Sequence, residues 1–336
     1  MEINLILEPN SPSERLAELA RLAESYGITG IWTSNMHDGR DPFVNFVEAA
    51  RATSKIRLGP VAVSPYELHP LKMGNALLTL NEIAKGRAQI GVAAGDGGTA
   101  YAMGIPATRR LRAVRECVEI INETATGKLV QYSGEIYKVR WYHALWATQP
   151  PPLVLVCAGG PQMLRSSARY AQGIFLGDHL PEHVAAVRRI IDPEIGKNPN
   201  KATFRLMNFW AWHVKEDREE AYAEARMWLA ARVTPWPAYQ HRGILPEEDM
   251  QVVWNNLPAL NRAFYAHDSN IPEIPRSILD KLVQRCTACS PLRELDREIE
   301  RLRQFSKAGL TAIALRVYKD PEAAIRVIGE RVMPAL

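Results

Sequence analysis

Four stretches of the chain carry residue types at spacings that suit chemistry. Cys157-Ala-Gly-Gly-Pro161 follows an apolar run and opens a helical one, the arrangement that points free backbone N–H groups at a phosphate. Its competing reading is a tight turn that needs glycine for its dihedrals. Gly95-Asp-Gly-Gly-Thr-Ala100 fits the relaxed G-x-G-x-x-A dinucleotide pattern. It follows the fourth apolar run rather than the first, however, and the acids about twenty residues on, Glu116 and Glu119, fall mid-helix, which weighs against a dinucleotide site. His179-Leu-Pro-Glu-His183 has H-x-x-E-H metal spacing. Pro181 as first helical residue leaves His179 off the face of His183, so no metal is expected and His183 is read as an exposed helix position. Cys286-Thr-Ala-Cys289 has redox spacing but neither a second pair for zinc nor a strand-then-helix setting.

The wider composition limits the partners. The 336 residues are 47% apolar and 23% charged, as in a globular protein, and the net charge is only +4. The densest basic pairs, Arg109-Arg110 and Arg188-Arg189, make no stripe, so no nucleic-acid partner is expected. No apolar stretch approaches the roughly 20 residues that span a bilayer, and the N-terminus lacks the basic-then-apolar pattern of a signal peptide. Four cysteines in so long a chain suit a reducing compartment. The expected location is the cytoplasm, with no membrane partner.

These motifs need a scaffold, and the apolar periodicity supplies one. Strands are predicted over Ile3–Leu7, Ile28–Thr33, Ile56–Val63, Ala88–Ala94, Leu153–Ala158, Gly173–Leu176, Phe204–Val214 and Leu310–Val317. The first helix is predicted to start at Pro12, with Ser11 and Glu14 as a capping box, and to stop at Gly27. Others are expected over 42–52, 71–84, 106–124, 162–172, 182–192, 216–231 and 321–330. Eight alternating units favour an α/β fold of the (β/α)8 TIM-barrel type over an open sheet. Such a barrel takes about 250 residues, so a single domain over 1–336 leaves room for insertions at about 127–150 and 233–290.

In this fold the reactive groups lie at the C-terminal strand ends. That rule nominates residues 33–41, 61–69, 95–99, 157–161, 177–181, 210–213 and 316–318. Their titratable members include His37, Asp38, Asp96, Asp178, His179 and His213, each nominated by position alone. Trp32, Tyr66, Trp210 and Trp212 are either pocket walls or core.

Several of these strand-end motifs, in this order, resemble the luciferase-like flavin and deazaflavin oxidoreductases, nearest the methylenetetrahydromethanopterin reductase branch. The likeness runs through Leu5 to Asn10, Arg40-Asp41-Pro42, Ile56-Arg-Leu-Gly-Pro60, Ser64-Pro65-Tyr66, Leu80-Asn-Glu-Ile83, Ala94-Gly95-Asp96 and Gly159-Gly160-Pro161. Beyond residue 180 it rests on the strand-helix rhythm and Gly309-Leu310-Thr311.

The resemblance implies a bacterial luciferase-like barrel binding coenzyme F420, or alternatively FMN, at its C-terminal mouth. It implies a bulge with a non-prolyl cis peptide at Val61-Ala62-Val63 behind the ring. Ala158, Gly159 and Gly160 are implied as phosphate binders and Gly95 and Asp96 as neighbours of the ring or its ribityl chain, with Ser34, Asn35, Ser64 and Gly177 completing the cofactor set. Where deazaflavin relatives commonly carry Asp-His, this chain has Ser34-Asn35, neither of which titrates near pH 7. Asn35, His37 and Asp38 are the expected catalytic residues, the last two restoring the missing residue types within one loop. The implied activity is hydride exchange between F420 and a small organic substrate, apolar or aromatic on the hint of Trp236, Trp254, Phe264 and Tyr265. The alternatives are an FMN-dependent monooxygenase using oxygen and fed by a separate flavin reductase, and a non-catalytic flavin-binding barrel. A homodimer is implied by family habit.

Overall fold

The computed structural model describes residues 1–95, 97–233 and 243–336. Nine parallel strands make the main sheet: β1 (Glu2–Leu7), β2 (Gly30–Ser34), β3 (Arg57–Val63), β4 (Gln89–Val92), β7 (Leu153–Cys157), β8 (Gly173–Gly177), β9 (Arg205–Lys215), β10 (Ala288–Pro291) and β11 (Ala312–Arg316). Between β4 and β7, the short strands β5 (Val130–Ser133) and β6 (Lys138–Tyr142) form an antiparallel hairpin. Going round the main sheet, β9, β11, β1, β2, β3, β4, β7 and β8 follow one another, and β8 pairs back onto β9 to close an eight-stranded parallel barrel. The eight expected strands are these eight, each within two residues of its expected ends.

β9 is long because it serves two partnerships. Its first seven residues close the barrel against β8 and β11, while Trp212–Lys215 run past the rim and pair with β10. The periodicity does not announce β10, which is only four residues long and contains Pro291. The helix Leu295–Lys307 is also absent from the expected set, although Leu295, Ile299, Leu302 and Phe305 line its buried face at helical spacing. Helix Pro161–Ser167 ends earlier than expected, and Gly97–Ala102 forms an unexpected short helix.

The first helix spans Ser13–Ser25 with Pro12 at its N-cap and no side-chain capping bond. The expected capping box is therefore absent, because the helix begins one residue later and Ser11 falls outside the cap. The barrel interior is a separate apolar cluster in which Ile6, Trp32, Val61, Leu155, Phe175 and Met207 meet. Trp32 packs edge-on to Phe175 at 5.3 Å and donates its indole N–H to Asn4 Oδ1 at 3.1 Å. Such a ring pair adds about 0.5–1.5 kcal/mol beyond its burial.

The 127–150 insertion is fastened by one carboxylate. Glu116, buried on the helix Arg110–Thr124, accepts from the backbone N–H groups of Glu135, Ile136 and Tyr137 at 2.8, 3.0 and 2.9 Å. The Tyr137 hydroxyl in turn donates to Pro65 O in the loop after β3, at 2.9 Å, so the hairpin buttresses the mouth. The 233–290 stretch holds helices Glu247–Asn255, Leu257–Ala266 and Arg276–Cys286. Among the described residues no helix is long and apolar enough to cross a membrane.

Burial pushes the Glu116 carboxyl up, but the three backbone donors and Arg112 outweigh it and hold it below the usual carboxylate range. A group lowered on folding contributes stability that is fully present above its unfolded pKa, about 4.3, and lost as pH falls through the lowered value. Glu116→Gln therefore lowers the thermal midpoint at pH 7, and the gap to the parent closes as the pH falls below about 4; melting curves across pH check this.

Candidate active site

Period-2 alternation extends the interior cluster upward to the mouth. Counting from Ile6, Trp32, Phe175, Met207 and Ala314, the next inward positions are Glu8, Ser34, Gly177, Phe209 to His213, and Arg316 to Tyr318. The mouth divides into two unlike halves.

The first half spans β2, β3, β4, β7 and β8. The Val61–Ala62 peptide is cis and non-prolyl, and Val61 pairs with Gly91 while Val63 pairs with Val92, so Ala62 bulges out of the ladder. The bulge is pinned on both sides: Asn35 N–H donates to Val61 O and Ala93 N–H donates to Val63 O, each at 2.9 Å. Asn35 is also held by its side chain, whose Nδ2 donates to Glu67 Oε2 at 2.7 Å. Ser64 is fully buried beneath Gly95, whose φ of +97° favours glycine and where an added Cβ would sit 3.3 Å from Ser64 Oγ. Ala158 N–H donates to Phe175 O at 3.1 Å, joining the 158–160 turn to β8. Among the described residues, a Cβ at Gly160 or Gly177 would meet nothing within 4 Å. The arc is therefore open at Gly160 and Gly177, and at Gly95 it is bounded by the Ser64 and Glu67 side chains.

The second half, on β8, β9, β11 and β1, is polar and tightly packed. Arg232 Nη1 donates to both oxygens of Asp178 at 2.8 Å, in a buried pair laid over the Phe209 ring at 4.5 Å. Burial pushes the Asp178 carboxyl up to about 6, with Arg232 opposing. His213 Nδ1 lies 2.8 Å from Glu224 Oε1, while Glu224 Oε2 takes Lys215 Nζ at 3.1 Å and Lys319 N–H at 3.2 Å. Burial pushes the His213 imidazole down, against Glu224, so it is neutral at pH 7. Tyr318 stacks on His213 with centroids 4.6 Å apart, and the Arg316 guanidinium lies 5.0 Å from the Tyr318 centroid while bonding Glu8 Oε2 at 2.6 Å. Burial raises the Tyr318 hydroxyl above the ordinary phenol range, so it stays a donor.

The nominated residues sort accordingly. Ser34, Asn35, Val61, Ala62, Val63, Ser64, Gly95, Ala158, Gly159, Gly160 and Gly177 lie on consecutive strand ends of the first half. His37 and Asp38 lie in the exposed turn after β2, while Asp96 and Trp236 fall outside the described residues. Glu224 and Arg232 escaped the sequence reading because they sit on helices, and Glu67, although inside the nominated loop 61–69, is singled out only by its contact with Asn35.

Trp32, Trp210 and Trp212 are core rather than pocket wall, all but fully buried, whereas Tyr66 is half-buried and donates to Thr108 O. His183, expected to be exposed, is buried, and its Nδ1 accepts from Leu180 N–H at 3.3 Å. Its ring stands edge-on to His179 at 6.2 Å, and His179 Nδ1 lies 3.0 Å from Gly177 O, with burial pushing that imidazole down to about 3. The cysteines are free thiols, and Cys286 and Cys289 are buried in the core.

The family model for luciferase-like monooxygenase matches residues 5–312. The 5,10-methylenetetrahydromethanopterin reductase of Archaeoglobus fulgidus is 28% identical, with 100% of both chains covered. The F420-dependent glucose-6-phosphate dehydrogenase of Nakamurella multipartita is 24% identical over 98% of this chain and 94% of its own. In fold, the chain matches the coenzyme F420 dependent tetrahydromethanopterin reductase from Methanopyrus kandleri with a TM-score of 0.81, at 22% identity and 99% coverage of each.

Removing one partner of a buried ion pair strands the other charge, at about 3–5 kcal/mol. Asp178→Asn is expected to lower unfolding stability by about that amount, and Asp178→Asn with Arg232→Met to recover most of it; denaturant titration of the single and double variants checks both.

Proposed function

The chain belongs to the luciferase-like monooxygenase family, and on that premise we propose an oxidoreductase that uses coenzyme F420 to move a hydride to or from a small organic substrate. The observation that carries the reading is the open backbone at Gly160 and Gly177, on strand ends of the same half of the mouth as the pinned Val61–Val63 bulge. Two positions where a Cβ would enter open space make a cradle for a phosphate-bearing chain, and the bulge makes a flat backing for a ring. When bound, F420 supplies a ring carbon that accepts or releases the hydride.

In this reading the backbone of Ala158, Gly159 and Gly160, with Gly177, binds the cofactor phosphate. Val61, Ala62 and Val63 back the ring, Ser34 and Ser64 border it, and Gly95 and Asp96 flank the ring or its ribityl chain. Asn35, oriented by Glu67, hydrogen-bonds the ring, and His37 and Asp38 carry protons between the rim and solvent. FMN is the competing cofactor, favoured by the family's monooxygenase description; that reading adds oxygen and a separate flavin reductase. We further read the chain as a single barrel domain with insertions at about 127–150 and 233–290, working as a cytoplasmic homodimer.

Equilibrium dialysis with purified F420 and FMN tests the proposal. F420 is expected to be retained more tightly, and preferential retention of FMN overturns it. Gly160→Val is expected to weaken F420 binding about tenfold or more, since its side chain fills the cradle, with no loss of thermal stability because the new Cβ meets nothing.

A further inference from the structure

The β5–β6 hairpin has two faces of opposite character. Its inner face belongs to the core: Val130, Val139 and Ala144 are buried, and Ala144 packs with Tyr142 against Leu78 and Ala125. On the outer side Leu129, Trp141, Leu145 and Trp146 are all exposed, Trp141 and Leu145 at 73% and 80%. The strand pairing accounts for the split. Val130 pairs with Tyr142 and Tyr132 with Val139, so Arg140 and Trp141 together oppose Gln131 in a bulge, and both side chains are exposed. Lys138, next to buried Val139, also faces out. Apolar side chains scattered singly are ordinary on a surface, but a set gathered on one hairpin marks an interaction site.

The charges around that set narrow what covers it. Residues 127–146 hold Lys128, Lys138 and Arg140 but a single acid, Glu135. Glu135 is taken by Arg109 and Arg112, whereas the three cations are exposed and in no ion pair among the described residues. The acids of the neighbouring helix do not balance them: Glu119 and Glu123 act on Tyr132, whose hydroxyl donates to Glu119 Oε2 at 2.6 Å on the inner side. A second copy docked through a two-fold axis would set each hairpin's cations against the other's with no acid between them. A single-stranded nucleic acid would answer the charge, but Leu129 and Leu145 give its bases no face to stack on. Tryptophan, leucine and unpaired cations side by side suit an anionic lipid surface, where indoles lie at headgroup depth, leucines enter the acyl boundary and cations meet phosphates.

We propose that the outer face of the β5–β6 hairpin docks the protein on the anionic leaflet of a lipid bilayer, through Leu129, Trp141, Leu145 and Trp146 with Lys128, Lys138 and Arg140 around them. The contact is peripheral. An apolar-length criterion detects only spanning segments, of which the described residues have none, so the expectation of no membrane partner holds for spanning and is amended for the surface. Attraction to the leaflet is electrostatic at long range and falls off within a Debye length, so the docking is reversible and weakens with salt. It does not depend on the hydride-transfer reading, because none of these residues belongs to the mouth.

The test is co-sedimentation of the full chain with vesicles of phosphatidylcholine, alone or mixed equally with phosphatidylglycerol, followed also by tryptophan emission. Each cation near an anionic surface contributes about fivefold in binding, so the mixed vesicles are expected to bind about a hundredfold more tightly than phosphatidylcholine alone, with a blue shift in emission. Lys138→Gln with Arg140→Gln is expected to weaken that binding about 25-fold, and Trp141→Ser with Leu145→Ser about tenfold or more. Both pairs are exposed, so each double variant is expected to keep the parent's thermal midpoint. Four outcomes overturn the inference: no binding to mixed vesicles, equal binding to both kinds, binding that neither double variant weakens, or a single-stranded oligonucleotide bound in preference to vesicles. Self-association of the parent that light scattering shows to be lost in Trp141→Ser with Leu145→Ser overturns it as well, by assigning the face to a second copy. The F420 dialysis stands apart, since its result bears only on the mouth.

Discussion

Closure of the barrel is the constraint on which everything else depends. Gly173–Gly177 of β8 pair residue by residue with Arg205–Phe209 of β9, and once that seam is made no strand can shift by one residue without turning its interior face outward. Each strand then has one set of side chains for the axis and one for the helices. Met207 goes inward and Trp210 goes outward onto Phe305 because of their positions in β9, not because of their chemistry. Carried two and four residues further, the same alternation selects the groups that crown the barrel.

Those groups fall into two kinds, and the physical demands on them are opposite. From β2 to β8 the strand ends are emptied: glycine at 95, 160 and 177, and a backbone bulge at Ala62. A ligand with a ring and a phosphate needs room and backbone donors there more than side chains. From β8 round to β1 the mouth is filled with paired charges, Asp178 with Arg232, Glu8 with Arg316 and Glu224 with Lys215. Buried ions without partners would cost several kcal/mol each, so the pairs are a condition of placing so many polar groups around an apolar core.

Much of this was legible beforehand. The eight barrel strands were readable because a parallel strand buried on both faces is a short continuous apolar run between turn residues, and the Val61–Val63 bulge followed from the family likeness. What escaped was short, local or paired across the chain. β10 is four residues, and the hairpin β5–β6 is half exposed, so neither leaves a strong pattern. His183 looked like a surface helix residue because its role, accepting from the Leu180 N–H, depends on the direction in which the chain enters the helix. Trp210 and Trp212 were ambiguous between pocket and core until strand direction assigned them to the helix layer.

By itself, then, the sequence determined the alternating strand-helix architecture, the set of strand ends from which any site must be built and the glycine-rich turns among them, because periodicity and turn chemistry act over a few residues. Only the tertiary structure decided which strand-end side chains meet. Asp178 and Arg232 are 54 residues apart in sequence, and Glu8 and Arg316 are 308 apart. No local pattern encodes such partners; closing the barrel brings them within hydrogen-bond reach.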